Sequence, residues 1–183
     1  RGRTCEAGEV RNLPGAVITP ARFLGELVSA DSSVTALIRP ELDRVRSLKN
    51  ESLGIEVQNR LTRSYATESA LGNLVVDTLR ASFPNADGAV SNGGGLRAHL
   101  EPGPLTYGAI FNVLPFDNQL ATVKINGALL AKMVQLGLRP GSSALLWSNL
   151  TFQAEGCKVK TIQVGGHPLD PQKSYTVVAP DFL

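Results

Sequence analysis

The residues with chemistry to offer gather in two short stretches. Ser91-Asn92-Gly93-Gly94-Gly95-Leu96-Arg97 follows the short apolar run Ala89-Val90. A strand that feeds a glycine loop is a common way to bring backbone close to a ligand, because glycine has no Cβ to hold the ligand off. Asn92 carries an acceptor and two donors, Gly95 permits close approach, and the planar, permanently charged fork of Arg97 suits a hydroxyl, a carboxylate or a phosphate oxygen. The second stretch, Val113-Leu114-Pro115-Phe116-Asp117-Asn118, puts Phe116 at the start of a loop where no periodic core face calls for an aromatic. Asn118 adds a second amide there. Plainer readings stand beside these: Asn and Gly are common turn residues, an arginine is commonly a solvated surface group, and a phenylalanine commonly packs a core.

Other chemistries find little support. The chain has two histidines, His99 and His167, with no partner motif and no ligand spacing for a metal pair, so both are read as surface or turn residues and no catalytic or metal-binding residue is assigned. Trp147, the only tryptophan, also lacks a motif around it. Eighteen basic and 16 acidic residues, a net charge of +2, run through all 183 positions without a basic stripe, which argues against nucleic acid as a partner. No apolar run approaches the roughly 20 residues that span a bilayer. Cys5 and Cys157 are too few for a metal cluster or a disulfide framework, and sequence leaves their pairing open. The triplets Asn50-Glu51-Ser52 and Asn149-Leu150-Thr151 match a glycosylation pattern that recurs by chance.

Helices and strands must alternate irregularly to carry these loops. Val34, Leu37, Ile38, Leu42, Val45 and Leu48 have near-helical spacing behind Asp31 and Ser32 as N-caps, with Pro40 expected to kink or break the helix. A strand is predicted from Leu53, then a helix capped by Thr67 or Ser69 that carries Leu71 to Phe83, then the strand before the glycine loop. Past a turn at Pro102, Gly103 and Pro104, the pattern predicts a helix from Tyr107 to Val113. A strand through Ala121 to Ile125 follows, with a turn at Asn126-Gly127, then a helix ending near Gly137 whose apolar residues, Leu129 to Leu136, read as core. Strands are predicted near Leu150 to Gln153, Val159 to Val164 and Tyr175 to Val178, with Gly165-Gly166 as a hairpin signal. The class is α+β, a mixed sheet packed with helices, since no strict βαβ order appears.

The two stretches, with Glu68-Ser69-Ala70-Leu71-Gly72-Asn73 before them and Tyr175-Thr176-Val177-Val178-Ala179-Pro180-Asp181-Phe182 after them, resemble the C-terminal domain of the 5′-nucleotidase family in order and spacing, over roughly Leu53 to Leu183. The resemblance implies residues 1–28 as the tail of a preceding metallophosphatase domain, 29–52 as a linker helix about which the parts rotate, and 53–183 as the substrate-binding domain. The first residues, Arg1-Gly2-Arg3-Thr4-Cys5, resemble neither an initiator methionine nor a signal peptide, so an excised piece of a longer chain, also truncated at its C-terminus, is expected.

The resemblance implies that Phe116 and Phe182 sandwich a nucleobase, while Asn92, Gly95 and Arg97 touch the substrate. Asn118 is a candidate for hydrogen-bonding the base through its amide. Arg63 is a further substrate candidate, its spacing to Gly72 departing by about two residues from the family's pattern. Asp117 stands where many members have glycine, which leaves base preference open. Two divalent metal ions and the catalytic residues are expected in the N-terminal domain and no cofactor in this piece, which by itself is expected to be inactive. The implied partners are a nucleotide or nucleoside and that N-terminal domain; the implied setting is periplasmic, cell-surface or extracellular. The alternatives are action on nucleotide sugars, dinucleotides or 2′,3′-cyclic nucleotides, or a non-catalytic nucleoside-binding module.

Overall fold

A computed structural model describes residues 22–183. Cys5 and most of the implied 1–28 tail lie outside the described residues. The chain divides into two units, Arg1–Leu48 and Lys49–Leu183. The first holds a small hairpin, β1 (Arg22–Phe23) and β2 (Glu26–Leu27), and nearly all of helix α1 (Ser32–Lys49).

Asp31 caps α1, its Oδ1 accepting from the backbone N–H groups of Ser33 (2.8 Å) and Val34 (3.1 Å). Pro40 lies inside α1 rather than breaking it. The missing N–H removes one bond from 18 residues, and the exposed pairs Glu41–Arg44 and Asp43–Arg46 span the turns that follow. Hydrogen bonds, first from the Ser33 hydroxyl and then from the two backbone N–H groups, hold the Asp31 carboxyl below its ordinary value of 3.8. A depressed folded-state value means that this contribution is complete above pH 3.8 and is lost as pH falls below it. Acidification through that range is therefore expected to fray the first turn of α1, read as faster amide exchange at Ser33 and Val34; in Asp31→Asn the pH dependence should vanish.

The second unit is α+β. Its elements are β3 (Ser52–Val57), α2 (Ala70–Ala81), β4 (Gly88–Asn92), β5 (Gly103–Thr106), α3 (Tyr107–Val113), β6 (Leu120–Asn126), α4 (Gly127–Gly137), β7 (Leu145–Ser148), β8 (Leu150–Glu155), β9 (Lys158–Val164), β10 (His167–Pro168) and β11 (Ser174–Pro180). The central sheet runs β6-β11-β4-β7, with β11 parallel to β4 and the other pairs antiparallel. The strands β8, β9 and β10 form an antiparallel meander, and β3 pairs with β5.

Ser69 begins α2, its hydroxyl accepting from Gly72 N–H, and Leu71 and Val76 bury almost completely against Leu96, Leu100, Val113 and Leu146. A fully buried aliphatic side chain of this size contributes roughly 1.5–3 kcal/mol. On α4, Leu130 and Val134 pack on Leu150 and on Tyr175, whose hydroxyl accepts from Asp170 N–H. Asn126 caps α4 by accepting from Leu129 N–H at 2.8 Å, so β6 passes directly into a helix where a turn was expected. The β1–β2 hairpin escapes the sequence reading, as do β5 and β7 in the second unit. Gly103 and Pro104 give β5 the composition of a turn, and β7 shows no apolar–polar alternation.

Candidate functional site

Three strand ends converge. Phe116 precedes β6 by four residues and Phe182 follows β11 by two; the two strands are antiparallel with Leu120 opposite Pro180, so both loops leave the sheet at one end. The N–H of Asp181 donates to the carbonyl of Gln119 at 2.9 Å and ties them together. Because β4 runs parallel to β11, its last residue, Asn92, emerges at the same end.

Beyond Asn92 the chain makes a 3₁₀ turn, Gly93–Gly95, and is re-anchored by Leu96, 1% exposed, and by Arg97 N–H donating to the Val113 carbonyl. Two loops hold this turn from outside. Gly93 N–H donates to Ala144 O, Ala144 N–H to Tyr65 O, each at 2.8 Å, and Gly94 N–H to Ser143 Oγ at 2.7 Å. A Cβ on Gly93 would lie 2.5 Å from Ser64 O and 2.9 Å from Tyr65 O, so only glycine fits between these main chains.

The side chains form a connected arc. Asn92 Oδ1 is buried and accepts no hydrogen bond. A Cβ on Gly95 would lie 3.1 Å from that oxygen and 4.0 Å from Phe182 Cζ, so the amide and the Phe182 ring both border Gly95. The guanidinium of Arg97 stands 5.9 Å from the centroid of the Phe116 ring and donates to Gly94 O at 3.3 Å. Both rings are half exposed, at 50% and 51%. A buried acceptor without a donor costs free energy that a ligand's donor would restore. The arc thus offers two aromatic rings, an exposed cation and a free amide oxygen, a set suited to a flat ring carrying polar substituents.

Not every candidate joins this arc. Asn118 is exposed on the Phe116 loop. Arg63 is half-buried beside the bridge between Leu61 and Leu100, its backbone N–H donating to His99 Nδ1 at 3.0 Å. His99 is thus a half-buried acceptor rather than a surface residue, and in its neutral form carries its proton on Nε2. Sequence reading overlooked Tyr65 and Ser143, which contact the glycine turn from 29 and 49 positions away from Gly94. No motif surrounds them; their closeness arises from the fold alone.

A cleft of about 680 Å³ lies elsewhere, between α2, α4 and β7, and contains none of the seven candidates. Its polar groups serve each other: Glu68 accepts from Asn73 at 2.7 Å, and Asp77 accepts from the buried Ser148 hydroxyl at 2.6 Å. The gathering of two aromatic rings and a cation around one unpaired buried oxygen, rather than cavity size, identifies the site. Among the described residues, no three His, Cys, Asp or Glu side chains gather so as to hold a metal ion, and no helix is long and apolar enough to cross a membrane.

A family model described as 5′-nucleotidase, C-terminal domain matches residues 45–183. Protein UshA of Yersinia enterocolitica is 33% identical over 169 residues, 87% of this chain and 30% of that protein. The cell wall protein Lmo0130 of Listeria monocytogenes is 28% identical over 203 residues, 96% of this chain and 26% of that protein. The crystal structure of the 5′-nucleotidase precursor from Thermus thermophilus superposes with a TM-score of 0.67 and 26% identity, covering 86% of this chain and 38% of that one. The chain spans less than a third of the length of these curated relatives.

Proposed function

The chain belongs to the family of 5′-nucleotidase C-terminal domains, and from that premise we propose that it is the nucleoside-recognising part of a metal-dependent phosphohydrolase that cleaves nucleotide phosphate esters outside the cytoplasm. The observation that carries the reading is the convergence of Phe116, Phe182, Asn92 and Arg97 at one end of the sheet, around an amide oxygen that has no partner. The two rings take the faces of a base, a contact of roughly 1–3 kcal/mol per base. Arg97 braces Phe116 and offers charge to a phosphate or hydroxyl oxygen, Gly95 leaves room for the sugar, and Asn92 and Asn118 supply amide contacts. Arg63, whose backbone N–H is held by His99, is a further candidate to reach the substrate through its guanidinium.

Two divalent ions would activate water for attack on phosphorus, and residues to hold them are assigned to an N-terminal metallophosphatase domain, because those described here do not fit them. In this assignment residues 1–28 end that domain, 29–52 link, and 53–183 bind. Binding energy gained at the base, remote from the reacting phosphate, serves to align the ester. The cell-wall relative supports an extracytoplasmic setting.

Two measurements test this. The 183-residue chain should bind adenosine by calorimetry and release no phosphate. The intact parent protein with a divalent metal should release phosphate from AMP, GMP or UMP. Absence of both adenosine binding and monophosphate hydrolysis would overturn the proposal.

A further inference from the structure

We propose that Tyr65 is a further substrate-contacting residue of this site, a third aromatic surface that receives a ring carried beyond the nucleotide's phosphate. The inference rests on the nucleoside-binding reading above and specifies which substrates that site distinguishes.

Tyr65 is fixed at its main chain and open at its side chain. Its carbonyl accepts from Ala144 N–H at 2.8 Å and from the Ser143 hydroxyl at 3.4 Å, and it abuts Gly93 too closely for a Cβ to intervene. The ring nevertheless remains 53% exposed and joins none of the hydrophobic clusters among the described residues. A rigidly based aromatic that packs no core and borders a site has the character of a recognition residue.

The ring's place along the glycine turn gives it a role. A Cβ on Gly94 would stand 3.2 Å from Tyr65 Cε2 and 3.3 Å from Asn92 Nδ2, so the ring edge and the amide flank one Cα. The Asn92 amide in turn reaches Gly95, where Phe182 stands. The order along the turn is Phe182, Asn92, Tyr65. Arg97, which stands over Phe116, donates to the carbonyl of the same Gly94 that the Tyr65 ring edge abuts, so the cation and the tyrosine meet at one residue of the turn. With a base on the phenylalanines and a phosphate drawn to Arg97, the tyrosine meets whatever the phosphate carries next. Ser64, its neighbour in sequence, and Ser143, which donates to its carbonyl and whose hydroxyl shares the Gly94 contact with the ring edge, are neutral hydroxyl residues. They offer no charge to a terminal phosphate but suit a second ring, either the base of a dinucleotide or the hexose of a nucleotide sugar.

The test is calorimetric binding to the 183-residue chain of adenosine, diadenosine pyrophosphate and UDP-glucose, in wild type, Tyr65→Ala, Tyr65→Leu, Tyr65→Phe and Phe116→Ala. Tyr65→Ala should weaken at least one ring-extended ligand tenfold or more while changing adenosine less than twofold. Tyr65→Leu, which keeps bulk without a π face, should reproduce that loss and serves should the alanine variant unfold. Tyr65→Phe should stay within threefold of wild type. The two extended ligands distinguish a second base from a hexose. Unchanged affinity for both in Tyr65→Ala and Tyr65→Leu, an equal loss for adenosine, or a loss in Tyr65→Phe as large as in Tyr65→Ala overturns the inference. Failure of the underlying reading looks different: wild type does not bind adenosine, or Phe116→Ala binds every ligand as wild type does, and this inference then falls with it.

Discussion

Phe116→Ala in the intact parent protein is expected to lower kcat/KM for a nucleoside 5′-monophosphate at least about tenfold, roughly 1.4 kcal/mol of transition-state binding. Two losses combine. The base forfeits a stacking surface worth roughly 1–3 kcal/mol. Arg97, which stands over this ring and donates only one long bond to Gly94 O, also loses the surface that orients it. The fold should not suffer, because the ring is half exposed and belongs to none of the core clusters among the described residues. Truncations of that kind shift stability by about 0.5 kcal/mol or less. Unfolding midpoints measured beside the kinetics separate the two effects. A variant with wild-type kcat/KM on every monophosphate would keep the enzyme class and remove Phe116 from base binding. Phe182→Ala should behave alike in direction, since its ring touches the same arc through Gly95.

How much of this site was legible depends on whether an element announces itself locally. Ser69 and Thr106 each begin a helix with a hydroxyl that accepts from the third residue onward, and α2, α3 and α4 follow the predicted apolar spacing closely. The glycine run is visible because three consecutive glycines after an apolar run mark a place where main chain or ligand comes close. Elements that depend on a distant partner were not visible. β7 is a strand because β4 supplies its hydrogen bonds, and Leu145-Leu146-Trp147-Ser148 alternates in burial rather than in polarity. β5 tolerates Pro104 because its ribbon with β3 has only two strands and needs few donors. Asn126-Gly127 has the composition of a hairpin turn, yet Asn126 caps a helix; the choice is made by α4's burial against the β8–β9 meander, not by the dipeptide. Tyr65 and Ser143 belong with these: nothing in a run of small polar residues signals that two loops will clasp a third.

Gly93→Ala and Gly95→Ala, neighbours in one turn, are expected to fail for opposite reasons. At Gly93 the added Cβ would meet two main-chain carbonyls, and Tyr65 O is already engaged by Ala144 N–H. Backbone held on both sides cannot withdraw without breaking those bonds, so the substitution overpacks a rigid junction, a class of change that costs roughly 1–3 kcal/mol. With a hydrogen-bonded pair also at stake, about 2 kcal/mol or more is expected, read as a lower urea midpoint at unchanged slope. At Gly95 the nearest atom is Asn92 Oδ1, at 3.1 Å, the end of a side chain that can rotate away. Stability should change by less than about 1 kcal/mol, because the displaced oxygen had no hydrogen bond to lose. Binding of adenosine should nevertheless fall at least about tenfold, since the new methyl pushes the amide out of place beside Phe182 and fills the approach that glycine leaves open. A stability loss at Gly95 as large as that at Gly93 would mean that the Asn92 amide is a structural brace. Intact binding in Gly95→Ala would mean that the substrate does not come to this amide at all.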